Sequence, residues 1–213
     1  MANFKVPQQA SWMLRKIIEA RSIIKDDMNI TRKGQSVIRR IYLQLIDNPT
    51  RVNWKCLMFK NEARPKATFT MWLHLQDRLL TGERLSKWGI LVDAGCAFCQ
   101  ERVESRSHLL CECDFARNIW CRVMIWLQRQ RYTAKSCDQH LKWAIQNGKG
   151  RSQEAKMFKL VYAKTVHAIW LERNQRILEK ESKEGERLAR EIAYICNIRA
   201  SKDIRKLLQL CIF

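Results

Sequence analysis

The chain has 213 residues, 46% of them apolar, with 7 glycines and 3 prolines, a composition that excludes a disordered or fibrous protein. It carries 40 lysines and arginines against 21 acidic residues, and the resulting formal charge of +19 indicates a polyanionic partner, most often nucleic acid. The 9 cysteines are odd in number and cluster around a histidine, so they do not indicate a secreted disulfide framework.

The sequence shows no signal for export or for membrane insertion. Residues 1–7 have no apolar signal core, and no run of about 18 apolar residues occurs anywhere. Together with the cysteine pattern, this predicts an intracellular protein, in the nucleus or the cytoplasm, with no membrane partner.

Residues 1–53 are predicted to form an N-terminal helical linker segment. An amphipathic pattern over residues 11–25, with Ser11 as a possible N-cap, predicts one helix. A second apolar pattern at helical spacing starts after Ser36, and Pro49 ends it because proline disfavours a helical residue before it.

A zinc-binding domain is predicted over residues 54–130, and its first part is helical. After a short apolar segment at residues 54–59, Pro65 opens a helix that we expect to include Leu79 and Leu80. A short helix over residues 81–89 follows, with Gly89 as its C-terminal stop. His74 stands alone on its helix, which predicts a packing residue and not a ligand.

The next segment contains four cysteines and a histidine within 18 positions: Cys96, Cys99, His108, Cys111 and Cys113. Thiolate sulfur and imidazole nitrogen are the ligands that zinc prefers, and a structural site uses four of them. The Cys-x-x-Cys pair presents two sulfurs from one tight turn. A redox role for the pair would require a βαβ context, which the surrounding sequence does not show.

The fourth ligand is open between Cys111 and Cys113. Regular helical spacing places Cys111 on the same face as His108 and leaves Cys113 off that face. However, Asp114 is a plausible N-cap for the next helix, which would put Cys113 in a bend where its side chain can turn back to the ion.

The remainder of the chain is predicted to be helical as well. A helix follows Asp114, residues 131–152 form a connector with a short helix at 139–146, and residues 153–213 form a C-terminal helical region. That region starts with a long helix over residues 153–181, on which His167 has no neighbouring ligand. The expected fold class is mainly α, a small helical domain around a Cys-Cys-His-Cys zinc loop followed by a long basic helical tail.

An ordered series of residues runs through the middle of the chain: Trp54, Arg64-Pro65-Lys66, Phe69, Trp72, Arg78, Thr81, Arg84-Leu85, Trp88-Gly89, Cys96, Cys99, Glu104, His108-Leu109, Cys113 and Trp120. Taken together, the series resembles the reverse-transcriptase zinc-binding domain that follows the polymerase in plant non-LTR (LINE-type) retroelements. The resemblance covers about residues 54–127, and residues 8–21 and 169–176 resemble the segments that flank that domain. It implies a His-x4-Cys half-site, which favours Cys113 over Cys111 and gives Glu104 no ligand role.

The sequence shows no enzymatic constellation beside this resemblance. Polymerases hold two metal ions with paired carboxylates in a strand hairpin. The only Asp-Asp pair, Asp26-Asp27, follows a predicted helix. We therefore expect a non-enzymatic tail module of a retroelement reverse transcriptase, present without the polymerase, that binds zinc and nucleic acid.

The expected nucleic acid is RNA or single-stranded DNA, with basic side chains on the phosphates and aromatic rings stacked on bases. The alternative is a zinc-braced interaction element that docks a retroelement polymerase or a second copy through its C-terminal helices. The candidate phosphate contacts near the metal loop are Arg64, Lys66, Arg78, Arg84, Lys87, Arg102, Arg106 and Arg117.

Overall fold

Helices make up the regular secondary structure of residues 52–129 and 136–211, the part of the chain that this computed structural model describes, apart from one isolated β-bridge. The two helices predicted at residues 11–25 and after Ser36 lie outside the described residues. The prediction of a mainly helical fold is confirmed. The helices are α1 (Lys55–Met58), α2 (Pro65–Leu75), α3 (Gly82–Lys87), a π-helix (His108–Glu112), α4 (Asp114–Trp126), α5 (Cys137–Gly148), α6 (Gln153–Leu178), α7 (Gly185–Arg199) and α8 (Lys202–Gln209).

Helix α6 is the centre of the unit that begins at Val52. It packs against α2, α5, α7 and α8, and it also contacts α4 and the π-helix. A helix that is buried on most sides must be apolar on most sides. Leu160, on one face of α6, is 3% exposed. The fully buried side chains of the opposite face include Phe158, Val161, Tyr162, Val166 and Ile169.

Residues 153–211, expected as a helical tail, therefore fold back onto the zinc-loop region. Helix α7 packs against α4, and α8 packs against α6 and α7. The two regions share one core, in which Trp120 of α4 is fully buried and lies 5.2 Å from the ring of Tyr162 on α6. The Trp120 indole also donates a hydrogen bond to the Leu110 carbonyl at 2.7 Å, which ties the end of the metal loop to this core.

Helix α2 begins at Pro65 as expected, but it ends at Leu75, and the prediction that it includes Leu79 and Leu80 is wrong. Asp77 adopts a left-handed backbone with φ of 53°, and the Arg78 amide donates back to the Leu73 carbonyl at 2.7 Å. This is a Schellman-type ending, in which Asp77 takes the place usually held by glycine. His74 is 1% exposed, and burial, with Arg106 and His140 nearby, lowers its pKa to about 3.

None of the helices in the described residues combines the length and the apolar character needed to span a membrane.

Candidate metal centre

The first two cysteines lie on a short hairpin whose ends are joined by the antiparallel bridge between Gly95 and Val103. The Cys96 amide donates to the Arg102 carbonyl at 2.8 Å, and the Gln100 amide donates to the Cys96 carbonyl at 2.9 Å. Gln100 completes the turn in the left-handed region, with φ of 60°. These backbone bonds hold Cys96 and Cys99 on one tight turn.

The other half of the centre is a π-helix, and this explains the position of Cys113. The Cys113 amide donates to the His108 carbonyl at 2.8 Å, so one turn runs from residue i to residue i+5. The spacing argument for Cys111 assumed a regular α-helix, which the chain does not form here. Cys113 is extended, with φ of −62° and ψ of 135°, and is itself the N-cap of α4. The prediction that Asp114 is the N-cap is therefore wrong by one residue.

Four side chains come together at this point, from Cys96, Cys99, His108 and Cys113, with all their ligand atoms within 4.8 Å of one another. The two buried sulfurs, of Cys96 and Cys113, are 3.9 Å apart, and Cys99 Sγ is 3.3 Å from His108 Nε2. Tetrahedral zinc with its usual bond lengths would place such pairs about 3.8 and 3.6 Å apart. The donor set and its spacing therefore fit a zinc ion.

One hydrogen bond, 3.9 Å long, joins the sulfurs of Cys96 and Cys113. This bond lowers the pKa of Cys96 to about 5, and the same bond raises the pKa of Cys113. A bound metal would require that both sulfurs lose their hydrogens, because thiolates and not thiols are the ligands.

Cys111 is directed to a different neighbour. It is 2% exposed, and its thiol lies 3.0 Å from the sulfur of Cys137, the first residue of α5. This bond and burial raise the pKa of the Cys111 thiol. The structure therefore brings Cys113, and not Cys111, to the other three ligands.

Glu104, which the sequence left without a role, lies between the metal hairpin and helix α6. It is 1% exposed, and Arg173 donates to both of its carboxylate oxygens, with the shortest contact at 2.6 Å. The same carboxylate accepts the Gly82 amide at 2.8 Å. Gly82 must be small, because a Cβ there would meet the backbone of Ala94 at 3.0 Å. One carboxylate thus joins α3, the hairpin and α6.

A second arginine of α6 covers the metal loop. The Arg176 guanidinium lies 5.0 Å from the ring centre of Phe98, between the two hairpin cysteines, and 4.3 Å from that of Phe115. It is held there by Glu172, which accepts from its Nε at 2.8 Å. Sequence reasoning missed both arginines as part of the centre. The signal was present, since the 169–176 string belongs to the resemblance, but its partners lie about 70 positions earlier.

The eight predicted phosphate contacts do not form one patch. Arg84 donates to the Asp77 carbonyl, and Arg106 forms an ion pair with the Asp77 carboxylate at 3.0 Å, both at the C-terminal end of α2. Arg64 and Lys66 lie at the opposite end of α2, roughly 16 Å away.

The other four predicted contacts are exposed, and two of them have carboxylate partners. Lys87 pairs with Glu83 at 2.6 Å, and Arg117 pairs with Asp114 at 3.4 Å. Arg78 and Arg102 have no carboxylate partner among the described residues.

Comparison with known families supports the resemblance. Residues 37–120 match the family model described as zinc-binding in reverse transcriptase, which confirms the resemblance for this part of the chain. The match includes all four clustered ligand residues and begins earlier than the predicted range of 54–127. No curated protein and no solved structure matches the chain.

Proposed function

We propose that the chain is a non-enzymatic module in which one zinc ion holds the metal loop and the basic surface binds single-stranded RNA or DNA. The observation that carries the zinc assignment is the cluster of three sulfurs and one imidazole nitrogen within 4.8 Å. Four protein ligands close the tetrahedron and leave no open position for a substrate, so the zinc is structural and not catalytic.

Zinc would act here by replacing hydrogen-bonded protons with metal–ligand bonds in a loop that has little other regular structure. Because such a site does not exist in an unfolded chain, its binding free energy is also folding free energy. Cys96, Cys99, His108 and Cys113 would hold the ion. Glu104, Arg173 and Arg176 would hold the two halves of the loop in register on α6.

The nucleic-acid part of the proposal rests on the formal charge of +19 and on exposed aromatic rings. Trp88 is 57% exposed and Phe69 is 58% exposed, and the Arg84 guanidinium lies 5.0 Å from the Trp88 ring centre. Rings and cations of this kind bind unpaired bases and phosphates with little sequence preference. Neither the metal centre nor the described helices present the paired carboxylates of a polymerase, and we propose that the chain has no such activity.

The competing function is a zinc-braced interaction element that docks a polymerase or a second copy. The apolar stripe of α6 that suggested docking is buried in the chain's own core. A docking partner would have to use the exposed residues of the C-terminal helices, such as Leu171, Leu178 and Tyr194. We therefore favour nucleic acid.

The test combines metal content with salt dependence. Mass spectrometry of protein purified under reducing conditions, run native and denatured, should differ by one zinc ion. Titration of a labelled single-stranded RNA should then give an affinity that falls steeply with salt, because each phosphate contact releases counterions. Absence of zinc from the purified protein would contradict the metal assignment. A flat salt dependence, or no binding at low salt, favours the interaction element, and primer extension by the purified chain would contradict the non-enzymatic assignment.

A further inference from the structure

A cavity of about 390 Å³ lies between the start of α2, the middle of α6 and the end of α7. Its volume is in the range of ligand sites, roughly 300–1,000 Å³. Its floor is apolar and includes Leu160 and Ile195. Its remaining lining includes four cations and no carboxylate: Arg64, Lys66, Lys164 and Arg199.

The charged groups of these four cations do not take part in the polar contacts that hold the helices together. None of them forms an ion pair with a carboxylate or a side-chain hydrogen bond within residues 52–129 and 136–211. Like charges act on one another here: burial lowers the pKa of the Lys164 ammonium, and Arg64 lowers it further, while Cys196 and Glu191 oppose this. Gathering cations around one cavity costs free energy unless an anion enters it.

A neighbouring hollow on α7 has a different charge from the cationic cavity. It is lined by three carboxylates and two arginines, and its charges are paired, Arg190 with Glu186 at 2.6 Å and Arg187 with Glu191 at 3.4 Å. The three carboxylates outnumber the two arginines, and a hollow with excess negative charge does not attract a polyanion. Tyr194 lines both hollows, is 67% exposed, and presents an aromatic face at the rim of the cationic one.

His167 adds a polar group with a defined role to the lining. The Thr70 hydroxyl donates to the Lys66 carbonyl at 2.9 Å, so its oxygen accepts from His167 Nδ1, also at 2.9 Å. Burial, with Lys164 and Lys66, lowers the pKa of His167 to about 4, so the ring is neutral at physiological pH. The assignment of Nδ1 as the donor leaves Nε2 as an acceptor.

We propose that this cavity binds one nucleotide of a single-stranded nucleic acid, with the base against Tyr194 and the apolar floor and the flanking phosphates on the four cations. A duplex does not fit this chemistry, because the faces of its bases are stacked and unavailable. The inference rests on the proposed nucleic-acid function and assigns that function a site away from the metal loop.

The experiment uses the full zinc-loaded chain and two probes of equal length, about 12 nucleotides: fluorescein-labelled oligouridylate and its abasic counterpart. Fluorescence anisotropy gives the affinities. Tyr194→Leu should weaken oligouridylate binding by about 5- to 150-fold and leave the abasic probe unchanged, since it removes only the stacking face. Tyr194→Phe should bind like the wild type, and Phe59→Leu, at an exposed ring that does not line the cavity, should change binding far less.

Charge is tested separately. Lys164→Gln should weaken both probes and reduce the salt slope by about 0.7, the value for one phosphate contact with a single strand. The matched control is Arg190→Gln in the neighbouring hollow on α7, which should leave the salt slope unchanged. Thermal unfolding checks that each variant is folded, and the exposure of Tyr194 makes its replacement safe for the core.

The outcomes separate this site from the general function. If wild-type protein binds oligouridylate and Tyr194→Leu and Lys164→Gln bind it equally well, the cavity assignment is overturned and the nucleic-acid function stands. Equal affinity of the wild type for both probes also overturns it, because the base then contributes nothing. Preferential binding of phosphatidylserine vesicles, lost in the same variants, would assign the cavity to a membrane surface. No binding of either probe at low salt would overturn the proposed function itself.

Discussion

Helix α6 carries cations at two places, and their surroundings differ. Near its C-terminal end, Arg173 donates to the buried Glu104 carboxylate and Arg176 packs over two phenylalanine rings with Glu172 beside it. Nearer its middle, Lys164 lies in a cavity with three other cations and no carboxylate in the lining. The two places are roughly 14 Å apart along the same helix.

The difference separates cations that build the fold from cations that are available to a ligand. The arginines beside the metal loop are desolvated, and their pairing is needed to compensate the charges buried with them. In the cavity, Arg64 lowers the pKa of Lys164 and no carboxylate lines the wall, so a ligand can supply the negative charge. Overall charge alone does not distinguish these two groups.

The largest effect on metal binding and stability should come from replacing the metal ligand Cys113. Cys113→Ser should abolish zinc binding and unfold the metal loop, because structural zinc contributes on the order of 10 kcal/mol of apparent binding free energy. Cys111→Ser is the matched control and should retain zinc, since its sulfur contacts Cys137 instead. Native mass spectrometry measures both, and zinc loss in Cys111→Ser with retention in Cys113→Ser would contradict the geometry.

The next effect concerns Arg173, the arginine of α6 that is paired with the buried Glu104. Arg173→Met should destabilise the zinc-loaded protein by about 3–5 kcal/mol, because it leaves the Glu104 carboxylate buried and uncompensated. Arg187→Met, which breaks the exposed pair with Glu191, should cost at most about 1 kcal/mol. Urea denaturation gives both values.

A double variant sharpens this result. Adding Glu104→Gln to Arg173→Met should recover part of the lost stability, because the unpaired charge is then gone. If the double variant is less stable than the wild type by the full sum of the losses in Arg173→Met and Glu104→Gln, the ion pair is not the source of the effect.

At the cationic cavity, we predict that stability depends on pH through His167. Its pKa of about 4 lies below the unfolded value of 6.5, so the unfolded chain binds the proton first. The stability that His167 contributes is present above pH 6.5 and is lost as pH falls from 6.5 towards 4. Lys164→Met should raise the pKa of His167, since it removes one repelling charge. NMR titration of the His167 ring measures the shift, and Lys202→Met, outside the cavity, should leave it unchanged.

The smallest effect is the most direct test of the comparison. Lys164→Met should leave the free energy of unfolding within about 0.5 kcal/mol of the wild type, or raise it, because the half-buried ammonium of Lys164 forms no ion pair that the change would break. Methionine keeps the length of the side chain and its packing. A loss of more than about 1 kcal/mol in urea denaturation would show that Lys164 has a structural role, as Arg173 does.

Much of the helical framework could be predicted from local signals. Pro65 marks the start of α2, Gly89 follows α3 with φ of 75°, and Ser152 caps α6 by accepting the Ala155 amide. The end of α2 could not be predicted in this way. Asp77 adopts the left-handed conformation without the glycine that usually signals it.

The metal loop was predictable in its residue types and only partly in its geometry. Cys96, Cys99 and His108 follow from spacing and donor chemistry. The choice between Cys111 and Cys113 required the family pattern, because periodicity assumes an α-helix. The π-turn that brings Cys113 to the site depends on one backbone hydrogen bond, from the Cys113 amide to the His108 carbonyl. No residue pattern in the sequence predicts this bond.

The sequence by itself determined the helical class, the donor atoms of the metal centre and the excess of positive charge, because these depend on residue type and near-neighbour spacing. Only the tertiary structure decided which cations are paired. Arg173 meets Glu104 across 69 positions, and Lys164 and Arg64, about 100 positions apart, line the same cavity. Long-range packing sets which charges share a buried space. It therefore separates the arginines that hold the metal loop from the cations that line the cavity.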